Sequence, residues 1–335
     1  MKILIIGLGS IGQRHLFNLK KIFKKSSFYA LRKIKKKIII KETRIIKKSD
    51  PIKYFNIRKI NSYNKAKKLQ PNIVFICNPS AFHYRDAMFF GSIGSHLFIE
   101  KPLIANMHQI KEISNILSKK KSVSIVGYQM RFHPIINLLK KIYENKKYGK
   151  LISANFKFFT YLPSHHPYEN YKIGYAAKKK LGGGVLNSLI HEVDLIAYFF
   201  GLPNELFVNK FNSKILDIDV EDNLSSIMIY KNFKQKFYIN LNLSMASSEE
   251  ERKVNFVYRN FTIDCNLIKN IIKIINHKSK KIIFEKKFTV KRNMLFLNEL
   301  KYFKKSILKT KQNFLSIKNN SDTIKLYNVI KNFKN

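Results

Sequence analysis

Met1-Lys2-Ile3-Leu4-Ile5-Ile6-Gly7-Leu8-Gly9-Ser10-Ile11-Gly12 is the stretch that decides the fold. Ile3 to Ile6 reads as a buried β-strand, the glycines as a tight turn, and the residues from about Ile11 to Phe23 as a helix. That strand–turn–helix context turns Gly-x-Gly-x-x-Gly into a dinucleotide-binding pattern. Gly7 permits the turn out of the strand. Gly9, with no side chain, lets a pyrophosphate approach the backbone, and Gly12 lets helix and strand pack closely. Ser10, Ile11 and Gly12 open the helix, where free N–H groups and the helix dipole favour phosphate. With this pattern at the chain start, no targeting segment is expected ahead of the fold.

A chain of 335 residues suggests two domains. No apolar run is long enough to span a membrane. Cys77 and Cys265 lie far apart and make no metal pattern, which fits buried thiols in a reducing cytoplasm. The formal charge of +43 is extreme, and alone it would suggest nucleic acid or an anionic membrane. The chain is also rich in Ile, Asn, Phe and Tyr and lacks Trp, the profile of AT-rich codons. Its lysines are scattered in short runs such as Lys35-Lys36-Lys37 and Lys178-Lys179-Lys180. They form no recognised nucleic-acid motif, so no specific nucleic acid and no membrane are expected as partners. The charge does favour anionic small molecules.

Up to about residue 120 strand and helix alternate. Strands are expected at 28–32, 73–76, 97–99 and 123–126, and helices at 62–69, 83–90 and 107–118. Ile38 to Ile40 and Ile45-Ile46 are short apolar runs in a very basic stretch. Alternation with short connections predicts a doubly wound parallel sheet. The pattern then changes. A helix over 134–145 and a strand over 152–160 precede a polar, aromatic loop over 161–180, and Gly182-Gly183-Gly184 leads into a helix with His191 and Asp194. Strands follow at 205–211, 224–230, 235–243, 252–258, 261–265, 271–276 and 281–288, then helices near 294–308 and 321–333. Strands in succession predict a largely antiparallel sheet. The fold class is therefore α/β, with a dinucleotide-binding domain over 1–122 and an α+β domain with a large open sheet over 123–335.

Strand two ends Phe28-Tyr29-Ala30-Leu31-Arg32-Lys33, with no acid before Glu42. A carboxylate there would bind ribose hydroxyls, whereas an arginine suits a 2′-phosphate through paired donors. Arg32 and Lys33 therefore favour NADP(H), with NAD(H) as the alternative. His165-His166 lack a third ligand at recognised spacing, so no metal is expected.

The order Gly7-x-Gly9-x-x-Gly12, Asn78-Pro79-Ser80 with His83, Glu100-Lys101-Pro102, Gly127-Tyr128-Gln129-Met130-Arg131-Phe132-His133-Pro134 and the later glycine run with His191 resembles the Gfo/Idh/MocA oxidoreductases. These are relatives of glucose–fructose oxidoreductase and inositol dehydrogenase. Asn298-Glu299-Leu300-Lys301-Tyr302-Phe303 resembles their closing helix, so nearly the whole chain is covered. The resemblance implies a Rossmann domain, hydride transfer to or from a sugar, nucleotide-sugar or cyclitol, and a sheet surface for homodimer or homotetramer assembly. The family uses the lysine after the fourth strand in catalysis, which gives that role to Lys101. It sets His191 beside the nicotinamide as its proton partner.

The resemblance further implies that Asn78, Pro79, Ser80, His83, Glu100 and Pro102 line the cofactor. Tyr128, Arg131 and His133 are expected to approach the active site. His166 and Tyr168, in a loop of aromatics and imidazoles suited to a polyhydroxylated ring, are expected at the substrate. Many members carry an aspartate about one turn before the histidine. Here the chain reads Asn187-Ser188-Leu189-Ile190-His191, so proton transfer would rest on Lys101 and His191, with Asn187 or Ser188 orienting substrate. Two rival readings are a non-catalytic nucleotide-binding regulator on the same scaffold and a basic nucleic-acid-binding protein.

Overall fold

The computed structural model describes residues 1–32, 37–41, 44–232, 235–309 and 314–333. In the first half, the strands are β1 (Lys2–Ile6), β2 (Ser27–Leu31), β3 (Ile39–Lys41), β4 (Arg44–Lys47), β5 (Arg58–Ile60), β6 (Ile73–Ile76), β7 (His96–Ile99) and β8 (Ser124–Val126). Six of them form one sheet in the order β5-β2-β1-β6-β7-β8, and every pairing is parallel. β3 and β4 make a separate antiparallel hairpin from the two short apolar runs. Ile3, Leu4, Ile5 and Ile73 to Ile76 are fully buried, as expected of parallel strands covered on both faces. The chain leaves β1 toward β2 and returns to β6 on the other side of β1. The carboxyl ends of β1 and β6 therefore flank a topological switch point, where open α/β sheets bind ligands. β8 pairs with β7, so the parallel sheet extends through Val126.

The second half contributes β9 (Leu151–Tyr161), β10 (Glu205–Phe211), β11 (Asn223–Asn232), β12 (Gln235–Ser244), β13 (Ala246–Tyr258), β14 (Phe261–Asn266), β15 (Ile271–Asn276) and β16 (Ile282–Lys287). They form one sheet in the order β10-β11-β12-β9-β13-β14-β15-β16, antiparallel except where β12 meets β9. Alternation along the strands separates its two faces. Phe156 of β9 and Phe256 of β13 point to one face, where Phe199 and Phe200 of the helix His191–Phe200 pack on them. On the other face, Asn240 donates to Asn155 and Ser225 to Asn242, each at 2.8 Å.

Two strands differ from the sequence reading, and short helices at Pro51–Tyr54 and Leu162–His165 were not expected. β5 was not expected, because Arg58-Lys59-Ile60 has neither an apolar run nor alternation; it is an edge strand held by β2. β13 starts at Ala246 rather than 252, with an irregularity between Ala246 and Glu251 that masks the period. The helix Arg292–Lys309 returns to the first half: Asn293 and Asn18 exchange hydrogen bonds of 3.0 Å, and Phe303 packs edge-on against Phe75 and Phe98.

Candidate active site

The glycines after β1 have different surroundings. Gly7 has φ of +88°, and a Cβ there would meet the Cys77 carbonyl oxygen at 2.9 Å. A Cβ on Gly12 would lie 2.1 Å from the Gly7 carbonyl oxygen. Both are therefore demanded by backbone packing. Gly9 has no heavy atom within 4 Å of where a Cβ would stand. Its missing side chain leaves open space at the start of the helix Ser10–Ile22, whose N-terminus has no side-chain cap and no acid in its first turn. An uncapped, acid-free helix start facing open space fits a dinucleotide's phosphates. Ser10, Ile11 and Gly12 form that turn.

Strand two ends differently from its expectation. Both carboxylate oxygens of Asp50 accept from Arg32 Nη2 at 2.7 Å, and Asp50 also caps the short helix Pro51–Tyr54 through the Ile52 amide. An acid does stand at the end of β2, supplied from further along the chain. Hydrogen bonds from Ile52 and the Arg32 charge hold its carboxyl below the usual range despite burial. Lys33 lies outside the described residues.

The segments after β6 and β7 are tied together. The His83 ring nitrogens lie 2.9 Å from the Pro102 carbonyl oxygen and 2.7 Å from that of Asn78, and burial lowers the His83 pKa. Asn78 donates to Asp86 at 2.7 Å. Ser80, which follows Pro79, donates to the Gly182 carbonyl across the two halves at 3.1 Å. Glu100 lies 2.6 Å from His15, itself fully buried on the first helix.

Lys101 leaves this strand end toward the second half, where Nζ donates to the Ser188 carbonyl at 2.7 Å. Burial lowers its pKa to about 8, with Glu100 and Glu192 pulling it up and Arg252 and Arg292 pushing it down. His191 starts its helix, and Gln129 Nε2 donates to its Nε2 at 3.0 Å. The neutral ring therefore carries its proton on Nδ1, a buried atom with no hydrogen-bond partner among the described residues. Burial, then the charges of Lys101, Arg252 and Arg292, hold His191 well below its ordinary pKa, so it is neutral at pH 7. A lysine near its titration point and a neutral imidazole together can hold and move a hydroxyl proton.

Of the two residues before His191, Asn187 is turned to the glycine run. Its amide donates to the Gly182 and Gly183 carbonyls at 3.1 and 2.9 Å. Ser188 is the one beside Lys101, and its Oγ is buried without a partner among the described residues. Tyr128 is buried, its ring 6.3 Å from that of His191. Arg131, expected at the substrate, is instead buried against Asp194, with contacts of 3.0 and 2.5 Å. His133 instead caps the helix Pro134–Glu144 and meets Asn270 at 3.1 Å. Tyr168, also expected at the substrate, hydrogen-bonds Ser10 of the phosphate turn and holds His166 Nδ1 at 2.9 Å.

Sequence reasoning missed Gln129, Glu192, Arg252 and Arg292. Arg252 had a signal: it shares the strand face of buried Val254, Phe256 and Tyr258, an apolar alternation interrupted by a charge.

A six-stranded parallel sheet with an open glycine turn at its switch point, facing a lysine and a histidine from opposite halves, defines a two-domain dinucleotide-binding protein. Residues 1–128 match the oxidoreductase family with NAD-binding Rossmann fold, and residues 136–264 match the GFO/IDH/MocA C-terminal domain. The chain belongs to the Gfo/Idh/MocA oxidoreductase family. It is 28% identical over 199 residues to the uncharacterized oxidoreductase YrbE of Bacillus subtilis, covering 59% of this chain and 53% of that one. It is 25% identical over 205 residues to myo-inositol 2-dehydrogenase of Thermotoga maritima, covering 60% and 55%. The chain thus spans about half the length of these curated relatives. Its fold matches that of a levoglucosan dehydrogenase in complex with NADH and levoglucosan, with a TM-score of 0.81 at 13% identity over 99% of this chain and 96% of that one. Among the described residues, no helix is long and apolar enough to cross a membrane.

Proposed function

We propose that this chain is a nicotinamide-dependent oxidoreductase acting on a CH–OH group of a sugar, nucleotide-sugar or cyclitol. One observation carries the reading: Lys101 from the end of a parallel strand reaches the segment Ser188–His191 of the other half. When bound, the cofactor supplies or accepts the hydride at its nicotinamide ring. In the oxidising direction the substrate carbon loses a hydride, its hydroxyl loses a proton to the free amine of Lys101, and a carbonyl results, to whose oxygen His191 Nδ1–H donates. Lys101 and His191 bind and orient the hydroxyl, and Gln129 fixes the imidazole tautomer. Residues 1–122 would hold the cofactor and residues 123–335 the substrate, with the open sheet face joining copies into a dimer or tetramer in the cytoplasm.

NADP(H) is preferred over NAD(H) in this reading because the Arg32 guanidinium stands at the end of strand two. Asp50 opposes that preference, since a 2′-phosphate must share or displace its hold on Arg32. Calorimetry with NADH and NADPH tests the cofactor, and Gly9→Val should abolish binding by filling the open turn. A sugar screen followed by reduced-cofactor absorbance tests the reaction. Normal dinucleotide affinity in Gly9→Val, or no absorbance change with any sugar, nucleotide-sugar or cyclitol, would defeat the reading.

A further inference from the structure

Three buried titratable groups take no part in the proton transfer assigned to Lys101: His15, Glu100 and Glu299. His15 is fully buried on the helix Ser10–Ile22, and its Nε2 lies 2.6 Å from Glu100 Oε1. The other Glu100 oxygen accepts the backbone N–H of Lys101 at 3.3 Å. One carboxylate thus joins the first helix to the residue that carries the chemistry. Glu100 is also first among the charges that act on the Lys101 amine, ahead of Arg252, Glu192 and Arg292. Lys101 in turn acts on His165 and His191.

Glu299 enters this arrangement from the closing helix, Arg292–Lys309. Phe296 lies three residues before it and Phe303 four residues after it, so the three share one helix face. The Phe296 ring stands edge-on to His15 at 6.1 Å. Phe303 meets Phe75 of β6 and Phe98 of β7 at 5.9 and 5.8 Å, and those two rings lie 5.4 and 4.7 Å from His15. Glu299 is therefore placed, fully buried, in the aromatic wall around His15. Arg14, the neighbour of His15, lies over the Phe296 ring at 4.7 Å. The charges that act on Glu299 are those of Glu100 and Asp194, both negative, and with burial they favour its protonated form.

His15 Nδ1 and both Glu299 oxygens are buried with no hydrogen-bond partner among the described residues. Buried polar atoms are nearly always satisfied, and a carboxyl among phenylalanines destabilises the fold unless something bonds it. These atoms are complementary. A carboxylate at Glu100 requires His15 Nε2 to donate, which makes Nδ1 of a neutral ring an acceptor. A carboxylic acid at Glu299 offers one O–H donor and an acceptor oxygen. One buried water can satisfy such a set. We propose that Glu299 and His15 are positioning residues for Lys101: a water joins the Glu299 carboxyl to His15 Nδ1, and this chain holds the Glu100 carboxylate against Lys101. The role rests on the oxidoreductase reading of Lys101. The water accepts from the Glu299 O–H and donates to Nδ1. When that link is cut, His15 is free to turn, Glu100 loses a donor that favours its charged form, and its pull on the Lys101 amine weakens.

The test follows Lys101 itself and needs no substrate. The full chain, carrying lysine labelled with carbon-13 at Cε, is titrated by NMR, with the Lys101 signal assigned by its loss in Lys101→Met. Its midpoint should lie at about 8 in the unsubstituted protein. His15→Phe should lower it by about one pH unit, a tenfold loss in proton affinity. Glu299→Leu, which removes a buried polar group, should fold and shift the midpoint the same way by less. Glu299→Gln, whose amide can still donate to the water, should leave the midpoint in place. A merely structural role would change the thermal midpoint without moving the Lys101 titration. If neither His15→Phe nor Glu299→Leu lowers the Lys101 midpoint, or if Glu299→Gln lowers it as far as Glu299→Leu, the proposal is overturned. If the variants shift Lys101 as stated while no sugar, nucleotide-sugar or cyclitol changes reduced-cofactor absorbance, the oxidoreductase reading falls and the link from Glu299 to Lys101 stands.

Discussion

Four consecutive residues, His191 to Asp194, serve two clusters of opposite character. Asp194 meets Arg131 through both carboxylate oxygens, at 3.0 and 2.5 Å. The same guanidinium reaches the Asn320 oxygen at 2.7 Å and the Phe314 carbonyl at 3.1 Å, while Thr323 donates to Asp194 at 3.0 Å. The carboxylate and guanidinium are thus closed off by protein. Around His191 and Glu192 the opposite holds: His191 Nδ1, Ser188 Oγ, Glu192 Oε2 and Arg252 Nη2 are buried and lack partners among the described residues. A closed network needs nothing further and fixes the junction of helices. An open one is tolerated where a ligand completes it. Charge and burial alone do not distinguish the two; the count of satisfied atoms does.

The largest expected effect comes from the open cluster. Lys101→Met should cut turnover by about 100- to 10,000-fold, the usual worth of acid–base assistance, with an unchanged thermal midpoint. The Lys101 amine titrates near a pKa of about 8. Oxidation, which needs the free amine, should therefore accelerate as pH rises through that value, and reduction, which needs the ammonium, should slow. Turnover within a few-fold of the unsubstituted protein would move the chemistry elsewhere.

The closed cluster should answer with stability instead. Asp194→Ala leaves a buried guanidinium without its charge partner, and breaking such a pair costs about 3–5 kcal/mol. Denaturant unfolding would measure it, and an unchanged midpoint would erase the contrast drawn between the clusters.

Arg32–Asp50 is an intermediate case, with the arginine side chain 5% and the carboxylate 30% exposed. Asp50→Asn removes the charge that competes with a 2′-phosphate. The ratio of NADPH to NADH affinity should rise about tenfold, the worth of one charged hydrogen bond. A ratio that stays put would show that Arg32 does not meet the cofactor.

The smallest effect concerns Glu299, fully buried, with neither oxygen partnered among the described residues. Burial, then Glu100 and Asp194, push its pKa well above the ordinary 4.5. The folded protein therefore binds the Glu299 proton more tightly than the unfolded chain does, so above the ordinary 4.5 the linkage favours unfolding. Glu299→Gln should raise the thermal midpoint by about 2 °C at pH 7, with the gain fading as pH falls toward 4.5. A gain of equal size at both pH values would contradict this linkage.

What could be read in the sequence was local. The glycine turn, the parallel strand ends and the alternating strands each announce themselves within a dozen or so residues. Lys101 and His191 stand out as site candidates in the sequence because each sits beside such a signal. Asp50 was not, because the acid at the end of strand two arrives from 18 residues beyond Arg32. Arg252 and Glu192 are 60 residues apart, and only the packing of a helix on a sheet brings them together. Arg131 and Tyr168 carried the right chemistry for a site, yet packing gave one to Asp194 and turned the other toward Ser10.

The contact from Lys101 to the Ser188 carbonyl has a consequence for how substrate is held. Because the ammonium already has an acceptor at 2.7 Å, an arriving hydroxyl exchanges one hydrogen bond for another, and the ground state gains little from Lys101. Only when negative charge builds on the substrate oxygen does the lysine have a better acceptor than a peptide carbonyl. Its contribution is thereby concentrated in the transition state, where differential binding raises turnover rather than affinity.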